Sequence, residues 1–166
     1  PLIQWRYDKV GPADVARIVG EEFGDDATRL FELYPGLEAG TPQAQQRFFA
    51  DNLYGAQVRY YAKHHARAGQ PCYFYHFRQV VPLPKQTLGA FHLAEVPYVF
   101  GADSPFWPLD RSTGLPEKMA RYWTNFARTG SPNETGLPTW SRYTEDTDEW
   151  LSIDAHVGMQ PVPEGE

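Results

Sequence analysis

Apolar residues recur at helical spacing through the first third of the chain, then give way to extended aromatic runs. Val15, Ile18, Val19 and Phe23 share one face of a helix predicted over Pro12 to Phe23 and ended by Gly24. Asp25-Asp26 caps a second short helix with Ala27, Leu30, Phe31 and Tyr34 inward, stopped by Pro35-Gly36. Thr41-Pro42 opens a third, with threonine at the cap and proline in the first turn, running to about Phe49. A fourth begins near Asn52 and runs to Arg67. Leu53, Ala56, Val58, Tyr60 and Tyr61 give it a broad apolar face, and Gly69 ends it. Asp51 falls at the break and is expected to cap the fourth helix. The first 69 residues are therefore expected to be mainly helical.

From Pro71 the pattern changes. Cys72-Tyr73-Phe74-Tyr75-His76-Phe77 is aromatic on both faces, as in a strand buried between helical layers. Val80 to Pro84 is extended and irregular. Leu115 to Thr129 is an amphipathic helix with Pro116 at its start, Met119, Tyr122, Trp123 and Phe126 on one face, and Gly130 at its end. Glu149 to Asp154 alternates like a short edge strand, and His156 sits in an expected tail. Two strands cannot form a self-sufficient sheet, because unpaired backbone and large aromatics would face water. The expectation is that another polypeptide segment completes a larger sheet, either as a second chain or as the other piece of a cut chain.

Composition narrows the classes. The chain has 166 residues, within the range of one domain, and aromatics make up 15% of it, so apolar surface needing burial is plentiful. Fifteen basic against 21 acidic residues leave a formal charge of −6, which argues against a general nucleic-acid surface. Arg59, Lys63 and Arg67 read as one solvated helix stripe. The lone cysteine, Cys72, precludes an internal disulfide and reads as a small buried hydrophobe rather than a reactive thiol. No run approaches the ~20 apolar residues of a membrane-spanning helix.

The segment most suited to chemistry is Gly89-Ala90-Phe91-His92-Leu93-Ala94-Glu95-Val96-Pro97-Tyr98-Val99-Phe100-Gly101. It sets one histidine on a loop behind an apolar strand, with a carboxylate three residues on, a setting that suits a general base. The structural alternative, a histidine that caps the following turn, fits the pattern equally well. Glu95 falls near the first turn of a short helix, where a carboxylate caps backbone donors or orients the loop. A metal pair of His92 and Glu95 lacks the further His or Cys needed to complete it. Of the other histidines, His64 and His65 lie on the charged end of a helix and face solvent, and His76 reads as a core histidine. Asn133-Glu134-Thr135 is a formal glycosylation triplet.

The histidine run resembles the corresponding segment of the type-B carboxylesterases, the cholinesterase and para-nitrobenzyl-esterase family. In that family a small-residue turn leads into the catalytic histidine, a Glu follows three positions on, and an apolar stretch ends in Phe-Gly; here these are His92, Glu95 and Phe100-Gly101. Further blocks are similar. They are Phe23 to Ala27 with Leu33-Tyr34-Pro35, Asp51 to Ala68 running into Gly69-Gln70-Pro71-Cys72-Tyr73-Phe74-Tyr75, and Trp123 to Asn133 followed by Leu137-Pro138-Thr139-Trp140. Together they span nearly the whole chain.

The resemblance implies an α/β class, the C-terminal part of a single α/β-hydrolase domain covering residues 1–166. Residues 1–69 would be its helical segment; residues 70–166 would carry a late sheet strand, the histidine loop, a C-terminal helix and a tail. It implies serine-dependent ester hydrolysis through an acyl-enzyme, with His92 as general base and acid. No metal or organic cofactor is expected. Such an enzyme also needs a nucleophile in a G-x-S-x-G turn, and its triad runs serine, acid, histidine. No such turn occurs here, and Ser104, Ser112, Ser131, Ser141 and Ser152 all follow His92. Nor do Glu21, Glu22, Glu32 and Glu38 sit in the Asn/Asp-Glu-Gly context of the family's acid. Serine and acid are therefore expected on an N-terminal portion outside this sequence.

The family also implies a substrate pocket around the histidine at Leu88, Phe91 and Ala94, all apolar and suited to a small neutral ester; packing of the loop is the plainer alternative. The rival function is that of a non-catalytic cholinesterase-like binding or adhesion protein. A third, an independent binding module, conflicts with the unpaired strand.

Overall fold

Helix and turn alternate from Pro12 to Tyr61 as their punctuation dictates. A computed structural model describes residues 11–86, 89–104 and 108–163, with backbone alone at 12 and 13. They fall into two compact units, one ending at Tyr61 and the other spanning Ala62–Val162.

In the first unit, helix α1 (Pro12–Phe23) passes through a 3₁₀ turn (Gly24–Asp26) into α2 (Ala27–Leu33), and α3 (Pro42–Ala50) follows. Val15, Val19, Tyr34, Leu37 and Phe48 are buried together, with Phe48 edge-on to both Phe23 and Tyr34. The expected break at Asp51 is absent. Instead one π-helical turn (Asp51–Gly55) joins α3 to α4 (Ala56–Arg67), absorbing the change in phase without ending the backbone ladder. Asp51 makes no side-chain cap there; its carboxylate accepts the Tyr34 hydroxyl at 3.0 Å. The apolar face predicted on this helix is exposed, with Leu53 37%, Val58 48% and Tyr61 69% accessible. Periodicity identified an apolar stripe, but burial needs a covering layer, and among the described residues none lies over these positions.

The second unit holds a three-stranded sheet, β1 (Tyr75–Phe77), β2 (Glu149–Ile153) and β3 (Gly158–Pro161), in that order. β1 runs parallel to β2, pairing Tyr75 with Leu151, His76 with Ser152 and Phe77 with Ile153. β2 and β3 are antiparallel. The expected edge strand is thus the central one, and the expected tail is a third strand. The turn between them is an Asx turn, in which the His156 N–H donates to the Asp154 carboxylate at 2.8 Å. Among the described residues no strand lies on the other edge of β1.

Helices α5 (Val96–Phe100) and α6 (Leu115–Thr129) lie in the connection from β1 to β2. α6 buries Leu115, Met119 and Tyr122 at helical spacing, and Asn125 extends the stripe; Phe126, expected inward, is 46% exposed. The sequence pattern missed Asn125 because a polar side chain carries no apolar signal, yet its amide reaches the Pro132 carbonyl at 3.4 Å. Gly130 ends the helix at φ +76°, a left-handed turn that suits glycine.

Trp140 is the hub of this core. Its ring lies within 5.9 Å of those of Tyr73, Tyr75, Tyr122 and Trp123, and its indole N–H donates to the Phe74 carbonyl at 3.0 Å. The Asn133 side chain fixes it from the backbone side, donating to the Trp140 carbonyl at 2.8 Å and accepting its N–H at 2.7 Å. The amide of the formal glycosylation triplet is therefore in structural use. Asn133→Ala removes both bonds and is expected to cost about 1–3 kcal/mol, read as a lower urea midpoint at unchanged slope.

Arg67 grips Glu145 with two bonds of 2.6 Å. That hydrogen bonding holds the Glu145 carboxyl below its ordinary value of 4.5. A carboxyl lowered in the folded state stabilises fully above its unfolded value and loses that contribution as pH falls through the folded one. The difference in melting temperature between wild type and Arg67→Gln should therefore be positive near neutral pH. It should vanish below the lowered Glu145 value, as a series of melts across pH will show. Both side chains are largely solvated, so the difference is small even at neutral pH.

Candidate active site

The site is assembled from β1 outward. Phe77 on β1 packs against the fully buried ring of Tyr98 at 5.3 Å, which seats α5 on the sheet. Pro97 stands in the first turn of α5, where its missing N–H is not needed, and Gly101 closes the helix at φ +60°. The Ala102 N–H returns to the Pro97 carbonyl at 3.1 Å and completes the cap. The histidine loop is thus tied to the core at its C-terminal end.

Gln86 ties the other end. Its amide nitrogen donates to the carbonyls of Val81 at 3.2 Å and Gly89 at 3.3 Å, closing the excursion between them; Val81 itself is buried. Nothing in the sequence pattern singled out Gln86, since its role exists only where the fold brings those carbonyls together.

Between these anchors lies Phe91 to Glu95. The Ala94 N–H donates to the Phe91 carbonyl at 3.0 Å, and the Val96 N–H to that of Leu93 at 3.3 Å. His92 and Leu93 are exposed, Phe91 and Glu95 half-buried, and Ala94 fully buried. The loop turns its histidine out and its small residue in. Leu88 lies outside the described residues.

Glu95 begins α5 through its backbone, its carbonyl accepting the N–H groups of Tyr98 and Val99 at 2.9 and 3.0 Å, while its carboxylate makes no capping bond. The carboxylate acts on Tyr75 instead: burial, with the Glu95 charge adding to it, pushes the Tyr75 phenol up to about 12. Tyr75 stays protonated at neutral pH, its ring packed edge-on against Trp123 and Trp140. It too was unmarked in the sequence except as a strand aromatic.

The remaining candidates are spread elsewhere. His64, His65 and His156 are exposed, and His76 packs at a tilt against Trp150, ring centroids 4.4 Å apart. Cys72 is half-buried, and burial raises its thiol, which disfavours the thiolate. Ser152 is fully buried within β2, and the Ser112 hydroxyl donates to Asp110 at 2.6 Å. Among the described residues no three His, Cys, Asp or Glu side chains converge to hold a metal ion, and no helix is long and apolar enough to cross a membrane. What the loop offers chemically is an exposed imidazole on a segment anchored at both ends, with apolar Phe91 beside it.

Residues 36–164 match the model of the carboxylesterase family. The chain is 37% identical over 109 residues to carboxylesterase 5A of Canis lupus familiaris, covering 59% of this chain and 19% of that protein. It is 33% identical over 156 residues to a medium-chain fatty acyl-CoA hydrolase precursor of Anas platyrhynchos, covering 88% and 26%. Among solved structures it is similar to a Geobacillus stearothermophilus carboxylesterase, with a TM-score of 0.76 at 24% identity, covering 99% of this chain and 36% of that one. A PNB esterase gives a TM-score of 0.67 at 27% identity, covering 90% and 30%. The chain thus has the fold of one portion of these α/β-hydrolase esterases. It spans about a fifth to a quarter of the length of the curated relatives it matches.

Proposed function

Because the chain belongs to the carboxylesterase family, we propose that it supplies the general-base histidine, His92, of a serine esterase acting on small neutral carboxylic esters. The nucleophilic serine, the acid and the oxyanion hole come from the N-terminal portion of the same enzyme, which also continues the sheet along the open edge of β1. The observation that carries the reading is the loop itself: an exposed imidazole held between the Gln86 bridge and the capped helix α5.

In this reading the serine hydroxyl gives its proton to a ring nitrogen of His92 as its oxygen attacks the ester carbonyl. The oxyanion of the tetrahedral intermediate rests on backbone N–H donors. Collapse breaks the bond to the alcohol, which leaves with the proton held by His92. Water then attacks the acyl-enzyme, again giving its proton to His92, and the serine recovers that proton as the acid departs. The upstream acid holds the second ring nitrogen. Phe91 presents apolar surface to the substrate and Ala94 packs beneath the turn; Leu88, which lies outside the described residues, is the third residue assigned to the substrate pocket. Glu95 acts indirectly, by beginning α5 and facing Tyr75.

Hydrolysis of a short-chain p-nitrophenyl ester by this chain together with its N-terminal portion tests the reading. Turnover with a burst of one p-nitrophenolate per site is expected, the mark of an acyl-enzyme. A folded, intact assembly without turnover would instead place the chain with the non-catalytic binding members of the fold.

A further inference from the structure

His92 and Leu93 are the two central residues of a hydrogen-bonded four-residue turn, closed by the 3.0 Å bond from the Ala94 N–H to the Phe91 carbonyl. Leu93 stands at φ +68°, while His92 is not among the residues of positive φ. Positive φ at the second central position alone is the type II form, which calls for glycine or asparagine because a Cβ there crowds the following carbonyl oxygen. Among the described residues only Lys85, Leu93 and Asp148 are non-glycine with positive φ, and Leu93 is the sole apolar one. Burial does not compensate it, since the side chain is 47% exposed.

Strain of this kind persists where the surrounding structure holds it, and it gathers at functional sites. Here the anchors on either side hold it, and its effect is visible in the alternation it produces. His92 faces out, Ala94 faces in with no exposed surface, and α5 starts two residues later with Pro97 and Tyr98 buried.

We propose that Leu93 is a positioning residue: its left-handed backbone, not its side chain, aims the His92 imidazole toward the reacting centre. The proposal rests on His92 being the base of the esterase. A right-handed or extended residue at this position would swing the imidazole off its line of attack.

The test compares replacements that accept the left-handed region with one that refuses it, in the enzyme assembled with its N-terminal portion. Leu93→Gly and Leu93→Asn should keep kcat within about threefold. Leu93→Val, β-branched, should lose roughly 10- to 100-fold in kcat with KM nearly unchanged, as expected for a base misplaced by about an ångström. Carbethoxylation of His92 by diethyl pyrocarbonate, read by peptide mass, gives a measure that needs no turnover: its rate should match wild type in the Gly and Asn variants and differ in the Val variant. Equal kcat and equal carbethoxylation in all three would overturn the proposal. So would a loss in the Gly and Asn variants as large as in the Val variant, which would assign the role to the apolar side chain. If Leu93→Val does not fold, the Gly and Asn variants decide alone. His92→Ala, run alongside, separates failure of the esterase reading from failure of this one. With no His92-dependent turnover, carbethoxylation still reports whether Leu93 sets the orientation.

Discussion

His92→Ala should lower kcat/KM on a p-nitrophenyl ester by about three orders of magnitude or more, equivalent to about 4 kcal/mol of lost transition-state stabilisation. The loss should fall on kcat. The imidazole acts only when the serine or water proton is in flight, so its removal leaves ground-state binding to Phe91 and its neighbours in place. The side chain is exposed and the loop is held by backbone bonds and by Gln86, so truncation should leave the unfolding free energy within about 0.5 kcal/mol of wild type, with little change in melting temperature. Steady-state kinetics with a parallel thermal melt make the measurement. A drop of less than tenfold in a well-folded variant would remove His92 from the reaction. The residual rate expected after a true loss comes from the oxyanion donors and binding alone.

Trp140→Ala should destabilise the chain by about 3–5 kcal/mol, the range for deleting a large buried aromatic. Trp140 is only 5% exposed, and four aromatic rings meet it from β1, α6 and the segment before β1. Its loss leaves a cavity lined by those four rings and forfeits their contacts with the indole. Trp140→Phe separates ring from donor. The Phe74 carbonyl loses the indole N–H but still accepts the Leu151 N–H at 2.8 Å, so the change should cost nearer 1 kcal/mol for the bond, plus the smaller volume loss. Urea denaturation followed by fluorescence and circular dichroism distinguishes the two variants. Equal effects would mean that the hydrogen bond, rather than the packed ring, holds this core together.

These two residues show what could be read without the fold. The loop that carries His92 was legible as a loop because its signal is local: glycine and small residues before the histidine, a carboxylate three on, an apolar run after it. Trp140 belonged to a recognisable block, but its place at the centre of an aromatic cluster was not legible. Nothing in Leu137-Pro138-Thr139-Trp140 states that Asn133 will clasp its backbone from seven residues away. The helix over Leu115 to Thr129 was correct at both ends, because proline at its start and glycine at its end are local devices. The supposed break at Asp51 was not, because a π turn satisfies the same residues without leaving the helix.

The sequence by itself determined the helices apart from the supposed break at Asp51, the C-terminal half of the strand predicted over Cys72 to Phe77, and the loop on which His92 lies, since periodicity, capping and turn chemistry act over a few residues. The order of the sheet was decided only by tertiary structure. β2 became central because its parallel partner β1 arrives from far upstream, and no local pattern records that pairing; β3 returns directly through the Asp154 turn, a local hairpin that the apolar pattern did not mark. The same holds for the Gln86 bridge and the left-handed Leu93. Each is a local conformation that its own residues do not specify by pattern, with Gln86 reaching carbonyls five residues before and three after it and Leu93 held at a φ that leucine does not prefer.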